Sequence, residues 1–190
     1  MTLTTRPSAP LCEGVTLVEL IVTLSVAIIL VSVAVPGFKT LTAKNRINSA
    51  VNGLVSGLHL ARSEAVNRAK RVTLCPSSDG TSCLDNIEWQ GGYVIFVDED
   101  EDREFDADEQ PIRYVQKLHS TLLIRSASSQ NGRRKISYFP TGISGGQMST
   151  FTFCDRQNNA DPLAVIISNT GRPRLSTTRS GGEAIDCSSN

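Results

Sequence analysis

Two arginines that lie two residues apart, Arg172 and Arg174, form the strongest candidate binding site of the sequence. On an extended segment they point to the same side, with their Cα atoms about 6.8 Å apart. Pro173 between them lacks an N–H group, which places the segment at a sheet edge, and Gly171 suits the left-handed position of a hairpin turn. Each guanidinium is a planar fork that matches two phosphate oxygens. The pair predicts either a sequence-independent contact with nucleic-acid phosphates or an ordinary charged edge strand.

Further basic residues extend this candidate patch. They are Arg179 and the cluster Arg133, Arg134 and Lys135, for which a solvated hairpin tip is the alternative interpretation. The chain is neutral, with 19 Lys and Arg against 19 Asp and Glu, but residues 110–190 hold ten basic and four acidic residues. No aromatic residues alternate with these cations, so a stacking platform for single strands is not predicted.

A second candidate site is acidic. Residues 98–109 contain nine acidic residues against one basic residue, Arg103. Positions 1, 3, 5, 7, 9 and 12 of a twelve-residue calcium loop would be filled by Asp98, Asp100, Asp102, Glu104, Asp106 and Glu109. Arg103 stands where that loop requires a glycine, and a strand precedes the segment instead of a helix. Weak calcium binding and a solvated loop between strands both fit. No cofactor and no other metal site is predicted.

Catalytic chemistry finds little support in the sequence. The two histidines are His59 and His119, and the motifs of serine hydrolases, phosphate-binding loops and metal sites do not occur. The sequence therefore does not predict an enzyme.

The N-terminal region predicts a membrane segment with a processing site. Residues 15–35 form a 21-residue apolar run that ends before Pro36, and as a helix this run is about 31 Å long, enough to span a bilayer. Its one charge, Glu19, costs about 2.5–3.5 kcal/mol at mid-membrane and needs a partner. Cleavage after Gly14 would supply one in the new α-amine of Val15. A secretory signal peptide and a plain anchor are the alternatives, but the run is too long for the first, and the second leaves Glu19 unexplained.

The cysteines predict an oxidising compartment. Of five cysteines, Cys12 precedes the proposed cut, and four remain. Pairing Cys75 with Cys83 closes a short loop, and pairing Cys154 with Cys187 ties down the C-terminal tail. This is the favoured choice among three pairings. A zinc site is the weaker alternative because the spacing is not that of a zinc motif.

These sites must be positioned by one long helix and a β-rich domain. An apolar stripe continues the helix to about residue 70, through Ile47, Val51, Leu54, Leu58, Ala61 and Ala65. Such a helix is unstable alone, so a sheet must cover the stripe, and Pro36 predicts a kink. Strands are predicted at 71–75, 92–97, 112–117, 122–126, 135–139, 150–154, 163–168 and 172–176. The predicted class is α+β: a long kinked N-terminal helix packed on an antiparallel sheet or sandwich.

The processing segment resembles that of the type IV pilins and the type II secretion pseudopilins. The resemblance implies that a prepilin peptidase cleaves between Gly14 and Val15 and methylates the Val15 amine, and that Glu19 guides helix assembly into a filament. Pro36 takes the position of the family's proline. Two departures are that Val15 replaces the usual Phe and that the leader lacks a basic residue next to the glycine.

Two internal segments narrow the resemblance to the GspH/FimT branch, which includes the FimT-like and FimU-like minor pilins. They are residues 75–83, bounded by cysteines, and residues 89–98, from a tryptophan through two glycines to an aspartate. Near the C-terminus, Gly171, Arg172 and Arg174 match the Gly-Arg-x-Arg motif of FimT-type minor pilins, some of which bind DNA during natural transformation.

The resemblance implies four regions: a leader (1–14), a transmembrane and assembly helix (15–36), its soluble continuation (37–70) and a β-rich head (71–190). The chain would be a single-pass protein of the bacterial inner membrane with its head in the periplasm, and later part of a pilus or pseudopilus. Expected partners are the prepilin peptidase, other pilins or pseudopilins, and DNA. The alternative is a pseudopilin H of a type II secretion system, or a FimU-like subunit that initiates pili, without DNA binding.

Overall fold

A computed structural model describes residues 14–127, 133–145 and 148–187. Within them one helix is followed by eight strands: α1 (Leu17–Arg68), β1 (Arg71–Pro76), β2 (Tyr93–Asp98), β3 (Gln110–Val115), β4 (Leu122–Ala127), β5 (Ile136–Tyr138), β6 (Ser149–Asp155), β7 (Leu163–Ile167) and β8 (Pro173–Ser176). The chain divides into two compact units, Met1–Lys39 and Thr40–Asn190. The second is the globular unit.

The first unit contains the apolar part of α1. Thr16 precedes the helix, and its Oγ1 accepts the Glu19 N–H at 3.2 Å, as an N-cap does. Ser25 and Thr23 donate their hydroxyls to the carbonyls of Ile21 and Leu20, which satisfies these polar groups within the helix. The large apolar side chains of this unit are exposed, and α1 is long and apolar enough to cross a membrane.

In the globular unit, α1 buries the predicted stripe. Ile47, Val51, Leu54, Leu58, Ala61 and Ala65 are each at most 3% exposed. Gly57 lets the helix approach β2 closely, since a Cβ there would lie 3.2 Å from the Tyr93 hydroxyl. That hydroxyl donates to the Gly53 carbonyl at 3.1 Å.

Two antiparallel four-stranded sheets cover this stripe. The first sheet has the order β3-β2-β1-β5, and the second sheet has the order β4-β6-β7-β8. The inward side chains of both sheets join the helix stripe in one core that includes Val72, Ile95, Phe151 and Val165. Trp89 packs edge-on against Phe151 at 5.0 Å between ring centroids. This core lies wholly within the globular unit, so we expect this unit to fold without residues 1–39.

The outer face of the first sheet has a small core of its own, built from Cys75, Val94 and Phe96 with Phe105 against them. The Cys75–Cys83 disulfide closes the loop beside it. The Cys154–Cys187 disulfide joins β6 to the C-terminal tail. Both disulfides follow the pairing that the sequence favoured.

The predicted fold class is confirmed, and all eight predicted strands are present. The largest displacement concerns β3, which was predicted at 112–117 and lies at Gln110–Val115. A bulge explains it: Ile95 pairs with Arg113 and Phe96 with Pro111, so Ile112 is the extra residue.

Candidate functional site

The turn between β7 and β8 is built around Gly171. The Gly171 N–H donates to the Ser168 carbonyl at 2.8 Å, and Gly171 has φ of 76°, the expected left-handed conformation. A Cβ at this position would lie 2.7 Å from Cε1 of Tyr138. The buried Tyr138 donates its hydroxyl to the Gly171 carbonyl at 3.0 Å, and this burial raises the pKa of Tyr138 well above its usual range. Gly171 is therefore required for two reasons: the turn needs a residue in the left-handed conformation, and Tyr138 leaves no room for a side chain.

The turn leads into β8, the edge strand of the second sheet, and presents Arg172 and Arg174. Both arginines are exposed. Arg174 lies directly opposite Ile166, so its side chain is on the face of the sheet away from the core. Among the described residues, no ion pair involves either arginine. Two guanidiniums on the same edge are thus available to an anionic partner.

The second basic cluster is placed differently. Arg134 forms an ion pair with Asp85 at 2.6 Å, and Lys135 forms one with Glu104. Arg133 donates from Nε to the Met148 carbonyl at 3.3 Å. The charges of Arg134 and Lys135 are therefore compensated within the globular unit, whereas Arg172 and Arg174 form no ion pair with any described residue.

Arg179 lies in the C-terminal tail, which folds back through a bridge between Thr178 and Ala184. Its Nη2 is 3.4 Å from the Asp186 carbonyl, and its Nε is buried without a hydrogen-bond acceptor among the described residues. Arg133, Arg179 and Glu183 line a cleft of about 590 Å³. Ala127, Thr150 and Ile166, which lie opposite one another on β4, β6 and β7, line it as well.

The acidic loop between β2 and β3 divides its charges into two sets. Three glutamates pair with cations: Glu99 with Lys70 at 2.6 Å, Glu101 with Arg71 at 2.8 Å, and Glu104 with Lys135. A second set, Asp98, Asp100 and Asp102, places carboxylate oxygens within 4.8 Å of one another. The first set neutralises basic residues of the globular unit.

Hydrogen bonds to the chain shape the rest of this loop. Glu109 accepts the Glu99 N–H at 2.8 Å and the Asp106 N–H at 3.2 Å. Desolvation raises the pKa of Glu109. The pKa of Asp106 is raised as well, mainly by desolvation and then by the negative charges of Asp102 and Asp100. Arg103, which stands where a calcium loop requires a glycine, takes a left-handed conformation with φ of 69°. Calcium binding here stays a prediction.

Gly14 and Val15 are exposed immediately before α1, and Glu19 is exposed in its first turn. The sequence interpretation did not assign Thr16 as the N-cap of α1, although a Thr followed by Glu three residues later is a known signal of a helix start. Pro36 lies inside α1, which continues through it.

Comparison with known proteins identifies the family. Residues 50–171 match the family described as Type II transport protein GspH. The pilin-like protein PilA1 of Thermus thermophilus is 28% identical over 86% of this chain and 97% of its own length. The type IV minor pilin FimU of Pseudomonas aeruginosa has a similar fold, with a TM-score of 0.55 and 23% identity over 72% of this chain and 92% of FimU.

The minor pseudopilin EpsH from the Type 2 Secretion System of Vibrio cholerae also shares this fold, with a TM-score of 0.50 and 11% identity over 69% of this chain and 96% of EpsH. The GspH match covers more than half of the chain, and its residues hold most of the helix stripe and seven of the eight strands. The resemblance noted in the sequence is confirmed, and the chain belongs to the GspH family of type IV pilins and pseudopilins.

Proposed function

We propose that this pilin-family protein is a FimT-like minor pilin whose Arg172/Arg174 edge binds DNA without sequence preference during uptake. Prepilin peptidase would cleave the chain between Gly14 and Val15 and methylate the new amine. The matured helix would anchor the protein in the inner membrane and then pack among other pilins, with Glu19 facing the amine of Val15 or of a neighbouring copy. The four regions proposed from the sequence follow from this scheme.

The observation that carries the proposal is the contrast between two groups of cations. Arg172, in the turn just before β8, and Arg174, on β8, are exposed and have no ion-pair partner among the described residues, whereas Arg134 and Lys135 are paired with Asp85 and Glu104. An unpaired guanidinium is free to form bidentate contacts with phosphate. A charge that is already compensated contributes little to such binding.

Titration of the globular unit with short duplex DNA at 50 mM salt tests the proposal. We expect a Kd in the 10⁻⁴–10⁻⁶ M range, and each lost phosphate contact should reduce the slope of log K against log salt by about 0.9. The test variant is Arg172→Gln/Arg174→Gln. Its matched control is Arg113→Gln/Arg156→Gln, which removes the same charge from two other exposed arginines.

The expected result is that the test variant loses both affinity and salt dependence while the control retains them. Equal weakening by both variants would show a general charge effect and reject the proposed site. The same titration with the full chain in detergent micelles checks that the anchor helix does not alter the result. Mass spectrometry of the mature N-terminus tests the processing step, for which we expect a methylated Val15.

A structural subunit without DNA binding is the second candidate. Its support is that the fold is shared with the FimU minor pilin and with the EpsH pseudopilin of a secretion system. Under this alternative the β8 edge would contact an acidic surface of a neighbouring pilin. Absence of DNA binding in both parent and control would favour it.

A further inference from the structure

A groove in the globular unit lies between α1 and the connection from β3 to β4. One face of α1 between Thr42 and Gly53 forms its first wall, and Val115, Leu118 and His119 belong to its second wall. Its volume is about 370 Å³, within the range of ligand sites, about 300–1,000 Å³. The groove is large enough to hold a small ligand or part of a larger one.

The floor of this groove is apolar. Tyr93 and Leu122 line it, are each 3% exposed and belong to the core of the globular unit. Val115 and Leu118 pack against the same core. The Tyr93 hydroxyl, the one polar side-chain group among these four residues, already donates to the Gly53 carbonyl at 3.1 Å. The floor therefore suits a hydrocarbon chain.

The rim of the groove carries donors and positive charge. Arg46 lies on the helix wall and forms no ion pair with any described residue. On the opposite wall, His119 Nδ1 accepts the Thr121 N–H at 3.3 Å, so the neutral ring carries its proton on Nε2, which is a donor. No acidic residue occurs in 20–63 or 110–127, the stretches that supply all of the lining except Tyr93.

A cationic rim above an apolar floor fits a ligand that joins an anionic group to a hydrocarbon chain. The Arg46 guanidinium can form a bidentate contact with a phosphate group, and the floor removes an attached chain from water. Duplex DNA would supply the phosphate but would leave the floor uncovered. The apolar helix of a second copy would cover the floor, but its residues 15–35 hold one acidic residue, Glu19, near their start.

The position of the groove in the chain supplies a ligand of this kind. Thr42, the first lining residue, follows Val35 at the end of the apolar run by seven residues. Seven residues span at most about 25 Å even when fully extended. If the apolar run spans the membrane, the groove is held close to the phospholipid head groups, whose layer is about 5–8 Å thick on each side of the hydrocarbon core.

We propose that this groove binds one acidic phospholipid, with its phosphate at Arg46 and His119 and one acyl chain on the floor at Leu118 and Leu122. The proposal rests on the proposed anchoring of the helix in the membrane and is independent of DNA binding. The bound lipid adds a second membrane contact to the anchored chain.

Short-chain lipids that stay monomeric in solution test the groove directly. The ¹⁵N-labelled globular unit is titrated with dihexanoyl phosphatidylglycerol, dihexanoyl phosphatidylcholine or inorganic phosphate, and the amide resonances of Gly53, Leu118 and Leu122 are followed. We expect saturable shifts with phosphatidylglycerol and binding of the other two probes that is weaker by at least about fivefold.

Each other outcome contradicts one part of the proposal. Equal binding of phosphatidylcholine would refute the role of the cationic rim. Equal binding of inorganic phosphate would refute the role of the apolar floor and leave an anion site only. Absence of shifts at these three amides with every probe would overturn the site.

Gly53→Leu is the variant that fills the groove. A Cβ at this position has nothing within 4 Å, and leucine is a better helix former than glycine, so the variant should fold. We expect its affinity for phosphatidylglycerol to fall at least about tenfold, because the new side chain takes the place of the acyl chain. An unchanged affinity would contradict the assignment of the lipid to this groove.

Arg46→Gln removes the cation of the helix wall. We expect a loss of about fivefold in phosphatidylglycerol affinity. The matched control is Arg156→Gln, which removes an exposed arginine that does not line the groove and should lose nothing. Equal losses in both variants would show a general charge effect and reject the site.

The full chain in nanodiscs that contain both lipids separates this proposal from the proposed function. We expect the parent to retain phosphatidylglycerol in native mass spectrometry and Gly53→Leu to retain less. Lipid binding in the groove without any DNA binding would support the lipid site and reject DNA uptake. Failure of the full chain to insert into nanodiscs would reject the anchoring, and with it a membrane lipid as the ligand of the groove.

Discussion

Substitution of Gly171 by alanine tests the structural reason for the glycine that precedes the two arginines. The left-handed conformation, with φ of 76°, penalises any side chain by about 1–2 kcal/mol. The new Cβ would also lie 2.7 Å from Tyr138 Cε1 and 3.1 Å from the Gly142 carbonyl. Tyr138 is fully buried and cannot move freely, so overpacking adds about 1–3 kcal/mol.

The combined loss in the free energy of unfolding is about 3 kcal/mol. For a unit of this size, about 3 °C of melting temperature corresponds to each kcal/mol, so we expect the melting temperature of the globular unit to fall by about 9 °C. Calorimetry under oxidising conditions measures this change.

Gly182→Ala is the matched control because Gly182 has φ of 83° and nothing within 4 Å of a new Cβ. It carries only the conformational penalty, and we expect a fall of about 3 °C. If the two variants melt at the same temperature, the contact with Tyr138 contributes nothing and the packing argument for Gly171 is refuted.

Three further predictions concern other parts of the globular unit. Gly57→Ala places a Cβ 3.2 Å from the Tyr93 hydroxyl, whereas Gly53→Ala places its Cβ in open space; since both gain the same helix propensity, Gly57→Ala should be less stable than Gly53→Ala by about 1–3 kcal/mol, and equal denaturant midpoints would contradict this. Cys154→Ser/Cys187→Ser opens a loop with a sequence separation of 33 and should cost about 3–4 kcal/mol, which chemical denaturation measures; an unchanged midpoint would contradict it. The raised pKa of Glu109 means that the folded state binds more protons just above the ordinary carboxyl pKa, so stability rises as pH falls from neutral towards 5. Glu109→Gln should reduce this rise in a melting series, and an identical pH profile would disprove it.

The elements of the fold were predictable because each leaves a local pattern. The helix stripe from Ile47 to Ala65 follows helical spacing, and its burial confirmed the prediction. The two disulfides and the Gly171 turn were also predictable, because cysteine and glycine have few other structural roles at such positions. The observed β3 starts earlier than predicted. Its bulge at Ile112 depends on how β3 pairs with β2, and the spacing of apolar residues along the chain does not show it.

Local sequence patterns could not predict which basic side chains form ion pairs and which can bind an anionic partner. Lys135 and Glu104 are 31 residues apart, and Arg134 and Asp85 are 49 residues apart. Only the packing of loops against the sheets brings them together. The burial of Arg179 Nε likewise depends on how the tail folds back, so the sequence shows the arginine but not its burial.

The zero net charge of the chain therefore says little about its binding properties. Glu99, Glu101 and Glu104 of the acidic loop are paired with Lys70 between α1 and β1, with Arg71 of β1 and with Lys135 before β5. These ion pairs remove basic charge from one part of the globular unit. Arg172, just before β8, and Arg174, on β8, have no such partners among the described residues, so positive charge persists at the edge of the second sheet. Weakening these pairs, for example by Glu104→Gln, would release Lys135, and under our proposal it would add non-specific DNA affinity without replacing the site on β8.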